Sequence, residues 1–557
     1  GGVVFGGSAA GKVGEVRCEG GNILVLDVVE DFAAGDSLLI YHLKLNNFSK
    51  PSPPTSLELF IDPLYSRGVR SEGTIRIGKP TISSALNQAF AVGDPPTEAA
   101  PIKVVEDEVA AAITKENDIR IVIPEGLALG WDGTVTEPSI TGSAAGKVSA
   151  KVRYAEGRDG RLDTLIVDVT EDFTPSDSLI LSGLRFMNFR ELSSPKQLCL
   201  SVNGGEWINT SDDKTLRIGQ PMIYFLKDQT FVVRDSVGYV VPLVVCEREV
   251  PCIVPGKDIR IVIPESLKVD WDEVNTPIIS GSAAEKVFPK VTYRAGPGGV
   301  DTLIVRVQDE FSPKDSLVLS GLRFVRLEVS PKSFIELSVN GGRGINAIDS
   351  HWIRVGDPSM FSLAQQLVSP GEAVPLVPVT IKESPISGSV SADEDIRIVI
   401  PAGMDIQWDV TIKKIKVEGP ASTKLSGEVR YLGKDTLLVE VLEDFGPSDE
   451  VTLSGMRVIA HDRFFERGRL GLSVNGGIDA LDKLEIIKGA PYMASEYDQR
   501  FVINDPVTEA APIVIRDHEE VAFIREGQEL RIIIPATLHL DRDTDVSEVQ
   551  VTSFGKG

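Results

Sequence analysis

Apolar and polar residues alternate in short runs along this chain, and the same runs return at long intervals. Asp118-Ile119-Arg120-Ile121-Val122-Ile123-Pro124 comes back as Asp258 to Pro264, as Asp395 to Pro401 and, altered, as Glu529 to Pro535. In the first copy Ile119, Ile121 and Ile123 share one face, as a half-buried strand requires. A second group joins Leu165 to Val169 with Asp172-Phe173 and Asp177-Ser178-Leu179, and the Phe recurs as Phe32, Phe311 and Phe445. A third, Leu200-Ser201-Val202-Asn203-Gly204-Gly205, recurs at Leu337 to Gly342 and Leu472 to Gly477. Clusters of Gly, Pro, Asp and Ser end the runs, and Asn-Gly suits tight turns because both residues tolerate positive φ. No helical stripe of useful length appears. Eight or nine short strands per repeat predict an all-β chain of tandem antiparallel β-sandwiches in a linear array.

Gly-x-Pro closes each repeat, at Pro80, Pro221, Pro358 and Pro491, giving spacings of 141, 137 and 133 residues. The predicted units are therefore 81–221, 222–358 and 359–491. Residues 1–80 match the back of a unit and residues 492–557 match its front. Together they slightly exceed one unit, so both ends carry the strand found near Ile140 and Ile279. A split unit of this kind predicts either a window on a longer array or a subunit that joins head to tail. Val3, Val4 and Phe5 at one end and Val549, Val551 and Phe554 at the other are the candidate junction residues.

Charge narrows the partners. The chain has 557 residues, 57 Lys+Arg against 81 Asp+Glu, and a net charge of −24. Such a surface repels phosphate backbones and anionic lipid, which argues against nucleic acid. No apolar run is long enough to span a membrane as a helix.

Candidate chemistry is sparse. Five histidines (His42, His351, His461, His518, His539) occupy unrelated places in the repeats, and no hydrolase elbow or metal-binding His pair appears. Gly6 to Val13 superficially matches a phosphate loop, but its copies are turns flanked by strands. These absences predict a protein that is not an enzyme and carries no cofactor. The acidic loop Glu171-Asp172-Phe173 to Asp177 is a candidate for Ca²⁺, set against a solvated turn with the Phe in the core. Trp131, Trp271 and Trp408, each followed by Asp, are candidate sugar platforms, set against caps on the sandwich core. Lys12, Lys147, Lys286 and Lys424 are either exposed lysines or one side of an isopeptide crosslink to Asn203, Asn340 or Asn475. Cys246 and Cys252 are either a local disulfide or two free thiols.

The run Asp258 to Pro264, Trp271-Asp272, Gly281 to Val287, Asp301 to Val307 and Asp315 to Phe324 resembles tandem Ig-like modules of large bacterial cell-surface and secreted proteins. The resemblance covers essentially the whole chain and implies an extracellular or cell-surface setting. The leading expectation is a structural subunit of an extracellular filament or stalk, whose partners are copies of itself. The alternative is an adhesin or carbohydrate-binding repeat protein that meets cell-surface glycans.

Overall fold

The computed structural model describes residues 3–61, 68–157, 160–296 and 299–539. The alternating runs are strands. Ile119–Val122 lies in the centre of a five-stranded sheet, between Leu162–Val169 and Cys199–Ser201, with Val148–Glu156 and Thr210–Ser211 at the edges. Ile119 and Ile121 are fully buried while Arg120 and Val122 are half-buried, so the alternation places one face in the core. A four-stranded sheet covers it, in the order Ser139–Thr141, Ser178–Ser182, Ile102–Val105, Thr81–Ser84. Ile102, Val104, Leu179 and Leu181 from this sheet share one apolar core with Ile121, Leu165, Val167 and Leu200 from the other. Two sheets facing across one core make a β-sandwich. The chain is all-β, an array of Ig-like sandwiches, and the same pair of sheets recurs with cores running from Ile223 to Val355 and from Met360 to Ile486.

Two details correct the expectation. The described residues of 81–221 form fifteen short strands, not eight or nine, because the chain divides them among four small sheets. The sandwich is also not wholly antiparallel. After Thr81–Ser84 the chain crosses to a separate three-stranded sheet, where Gln88–Ala91 runs parallel to Leu216–Gly219. The same parallel pairing joins Gln229–Val232 to Ile353–Gly356 and Gln366–Val368 to Ile486–Lys488. Entry and exit strands of a unit thus lie side by side and point the same way, which suits a chain that leads each unit into the next.

The repeated aromatics serve the core. Trp131, Trp271 and Trp408 are buried, and the first two pack on Phe186 and Phe324 with ring centroids 4.6 and 4.8 Å apart. No face is left for a sugar, so the platform reading of these Trp residues is set aside. Phe173, Phe311 and Phe445 are buried as well, whereas Phe32 is exposed.

Candidate functional site

The densest repeated chemistry lies where one unit meets the next. The Gly of each Gly-x-Pro sits under a loop of the following unit. A Cβ on Gly219 would lie 2.7 Å from the Cys252 Cβ, and one on Gly489 would lie 2.7 Å from the Phe523 ring. Gly78 and Gly356 are crowded in the same way by Ala110–Ala112 and by Gly388–Ser389. Glycine recurs here because only a bare backbone permits so close an approach.

That overlying loop is held by a buried carboxylate. Glu106 accepts hydrogen bonds from the main-chain N–H groups of Ala112 (2.9 Å) and Ile113 (2.7 Å). Glu247 does the same for Cys252 and Ile253, and Glu383 for Ser389 and Val390. Asp517 takes the role for Phe523 and Ile524. Burial pushes the three glutamates above their ordinary range. At Asp517 burial acts the same way, but the backbone N–H bonds outweigh it and hold the carboxyl low.

Arginines bridge the same boundary. Arg217 donates to the Pro251 carbonyl at 2.8 Å and pairs with Glu310. Arg354 donates to the carbonyls of Phe445 (2.9 Å) and Val390 (3.2 Å) and pairs with Asp444 at 3.3 Å. On the opposite side of the boundaries at 221/222 and 358/359 an Asp turn of one unit enters the Val-Asn-Gly-Gly loop of the next. Asp94 Oδ1 accepts from Asn340 and Asn346, both at 2.8 Å, and Asp235 accepts from Asn475 at 2.6 Å. Ala91 and Val232 join the cores of the units that follow them. A cleft of about 410 Å³ beside Asp94, Lys257, Asn340 and Arg343 marks the rim of the first junction.

The sites expected from sequence fall as follows. Lys147, Lys286 and Lys424 are half-buried and pair with Asp177, Asp315 and Asp449 at 2.7–2.8 Å, and Lys12 pairs with Asp36 at 2.8 Å. They are neither exposed nor aimed at Asn203, Asn340 or Asn475, which corrects both readings. The same contact answers the calcium reading. Asp177 already accepts from Lys147, Ser143 and Thr174, so its oxygens are occupied. Among the described residues no group of three or more His, Cys, Asp or Glu is placed to hold a metal ion. Cys246 and Cys252 are buried free thiols in this structure, and Cys252 Sγ lies 3.7 Å from Glu247 Oε2 under the junction loop.

Val4 and Phe5 belong to the strand Val4–Gly6, which pairs with Leu39–Tyr41. Val3 precedes it, half-buried. Val549, Val551 and Phe554 lie outside the described residues. The open edges at the two ends lie on other strands, which periodicity alone did not reveal. Leu39–Tyr41 corresponds to Ser178–Ser182, whose second neighbour in a whole unit is Ile102–Val105. The counterpart of that neighbour is Ile513–Arg516, which among the described residues pairs with Tyr492–Ser495 alone.

No protein-family model matches the chain, and no curated protein matches it. Solved structures with similarity include the C-terminal domain of the antigen I/II polypeptide BspA from Streptococcus agalactiae (9% identity, 48% of this chain and 100% of that one, TM-score 0.27). Another is the C-terminal domain of the antigen I/II-family protein AspA from Streptococcus pyogenes (12%, 49% and 99%, 0.26). A third is the collagen adhesin of S. aureus (12%, 50% and 91%, 0.15). No helix among the described residues is long and apolar enough to cross a membrane.

Proposed function

We propose that this protein is a structural subunit of an extracellular filament or cell-surface stalk, not an enzyme. Its subunits join head to tail when the tail of one and the head of the next complete a split sandwich. The observation that carries this reading is a strand without its sheet. In whole units Ile119 and Ile121 are 0% exposed in the centre of five strands. Their counterparts in the tail, Leu530 and Ile532, are 59% and 50% exposed, with Ile533 at 80%. The head holds the flanking hairpins, Val13–Glu19 with Ile23–Val28 and Ser52–Leu59 with Val69–Ile77. The gap between them has the place of this one strand.

The four-stranded sheet is divided in a complementary way. The head supplies Val4–Gly6 and Leu39–Tyr41, and the tail supplies Ile513–Arg516 and Tyr492–Ser495. The register of the whole unit, Ile102 opposite Leu181, translates to Ile513 opposite Ile40 and Ile515 opposite Leu38. Joining would pair two open edges and bury side chains worth about 1.5–3 kcal/mol each. Addition of a strand to an open edge is a general mode of association.

Electron microscopy and sedimentation of the purified chain test the reading. Linear particles that lengthen with concentration are expected, and Ile532→Asp in the tail should abolish them. A chain that stays a discrete short rod at every concentration would overturn the polymer form.

A further inference from the structure

The unit 81–221 carries an empty copy of the socket that grips an Asp turn at the other junctions. In the unit 222–358, Asn340 Oδ1 accepts from Ser338 and Asn346 Oδ1 accepts from the Val339 N–H. This orients both side-chain amides toward Asp94, and both asparagines are buried by the contact. In the unit 81–221 the same internal bonds stand: Asn203 Oδ1 accepts from Ser201 at 2.8 Å, and Asn209 Oδ1 accepts from the Val202 N–H at 2.8 Å. No Asp faces them among the described residues, Asn209 is exposed and Asn203 half-buried. Trp207 stands beside them, 68% exposed, where the next unit has Gly344 against Pro95.

A matching turn is free at the other end. Gln499 to Ile513 repeats Gln88 to Ile102 closely, with Asp505-Pro506 in the place of Asp94-Pro95 and the same Thr-Glu-Ala-Ala-Pro-Ile behind. Asp505 Oδ2 accepts from the Val502 N–H at 2.6 Å, as Asp94 Oδ2 does from Ala91 at 3.0 Å. Asn504 takes the positive φ (74°) that Gly93 takes (86°), so the turn is already formed. Asp505 is exposed, and no other residue of the chain bonds its second oxygen among the described residues.

We infer that Asp505 of one copy plugs into the Asn203 and Asn209 amides of a second copy, with Pro506 against Trp207. This rests on the head-to-tail reading and extends it. A tail that completes the head of the next subunit belongs to the unit just before that subunit's residues 81–221. Its Asp turn then occupies the place Asp94 holds before the unit 222–358. One tail would engage its neighbour twice, through the sheets of the head and through the socket behind it.

Sedimentation of the full-length chain, with its variants, tests this. Loss of hydrogen bonds to a charged group should weaken association by about tenfold or more in Asp505→Ala and in the double variant Asn203→Ala with Asn209→Ala. Asn203→Asp should weaken it further by setting two carboxylates together, and Asp505→Asn in the same chain should restore it. That restoration excludes a fold defect as the cause. Trp emission should shift on association in the wild type and lose that shift in Trp207→Phe. A wild type that associates with unchanged affinity in all socket variants overturns this inference and leaves the split-sandwich reading standing. A wild type that never associates overturns both.

Discussion

Arg354 donates from Nη1 to the main-chain carbonyl of Phe445 at 2.9 Å, although 91 residues separate them. The guanidinium is almost fully buried between two units, and its neighbours in the next unit are the Val390 carbonyl and the Asp444 carboxylate. Burial lowers its pKa, opposed chiefly by Asp444, Glu383 and Asp228. In a linear array stability is a sum of unit terms and nearest-neighbour terms, so this residue belongs to the coupling. Arg354→Ala leaves buried carbonyls unpaired and should cost about 1–3 kcal/mol of that coupling. In urea unfolding the units 222–358 and 359–491 should separate into two transitions in the variant. Arg354→Lys should not repair it, since an ammonium lacks the planar fork that reaches both carbonyls.

Gly219→Ala tests the close approach from the other side. The added methyl would meet the Val250 carbonyl and Cys252, so the loop must retreat, at a cost of about 1–3 kcal/mol. Gly146→Ala is the control, because a Cβ there meets nothing within 4 Å. A thermal shift equal in both variants would contradict the reason given for the repeated Gly-x-Pro.

The repeated lysines predict an ordinary mass. Asp315 accepts from Lys286, Ser282 and the Ser312 N–H, and although burial opposes it these bonds hold its carboxyl below the usual range. An amide bond to lysine needs an electrophilic acid, and this geometry keeps the Asp315 carboxyl ionised. Intact mass should equal that of the sequence, with no loss of water or ammonia. Lys286→Met should cost about 1 kcal/mol, given a partly screened pair. Because the Asp pKa is depressed, this stabilisation is present above the unfolded pKa and is lost as pH falls below it.

The strands and the burial of the Trp and Phe residues were legible because strand alternation is a local property of a sequence. The junctions were less so. Asn340 reads as a turn residue, and the hydrogen bond its amide donates to Asp94 depends on how two units are set together. A signal was available: the Asp of Asp94, Asp235 and Asp505 recurs as faithfully as the Asn of Asn203, Asn340 and Asn475, and exposed polar residues seldom recur without a partner. The staple at Glu106, Glu247 and Glu383 carries a similar trace, an acid five or six residues ahead of a small residue that a buried aliphatic follows. The free edge of Leu39–Tyr41 had none, because an edge is defined by what fails to pair with it.

The second junction holds a carboxylate where the first holds an amide, and this gives the array a pH-dependent link. Asp479 stands in the place of Asn346, accepting from the Val474 N–H at 2.6 Å, close to Asp235. Burial first, and the charge of Asp235 with it, push its pKa up to about 6, against backbone bonds that pull it down. The sign follows from linkage: a carboxyl whose pKa is raised on folding contributes stability fully below its unfolded value, near 4, and loses it as pH rises through 6. The unit 359–491 should therefore hold Asp235 more firmly at pH 5 than at pH 7.5. Other carboxylates titrate in the opposite sense, so the quantity to measure is the difference in unfolding free energy between wild type and Asp479→Asn across this range. Asp479→Asn removes the repulsion and supplies the donor that Asn346 gives Asp94. It should be the more stable protein at pH 7.5 by about 1–2 kcal/mol, with the advantage shrinking toward pH 5. An advantage that stays constant with pH would assign the effect to packing and remove Asp479 as the titrating group.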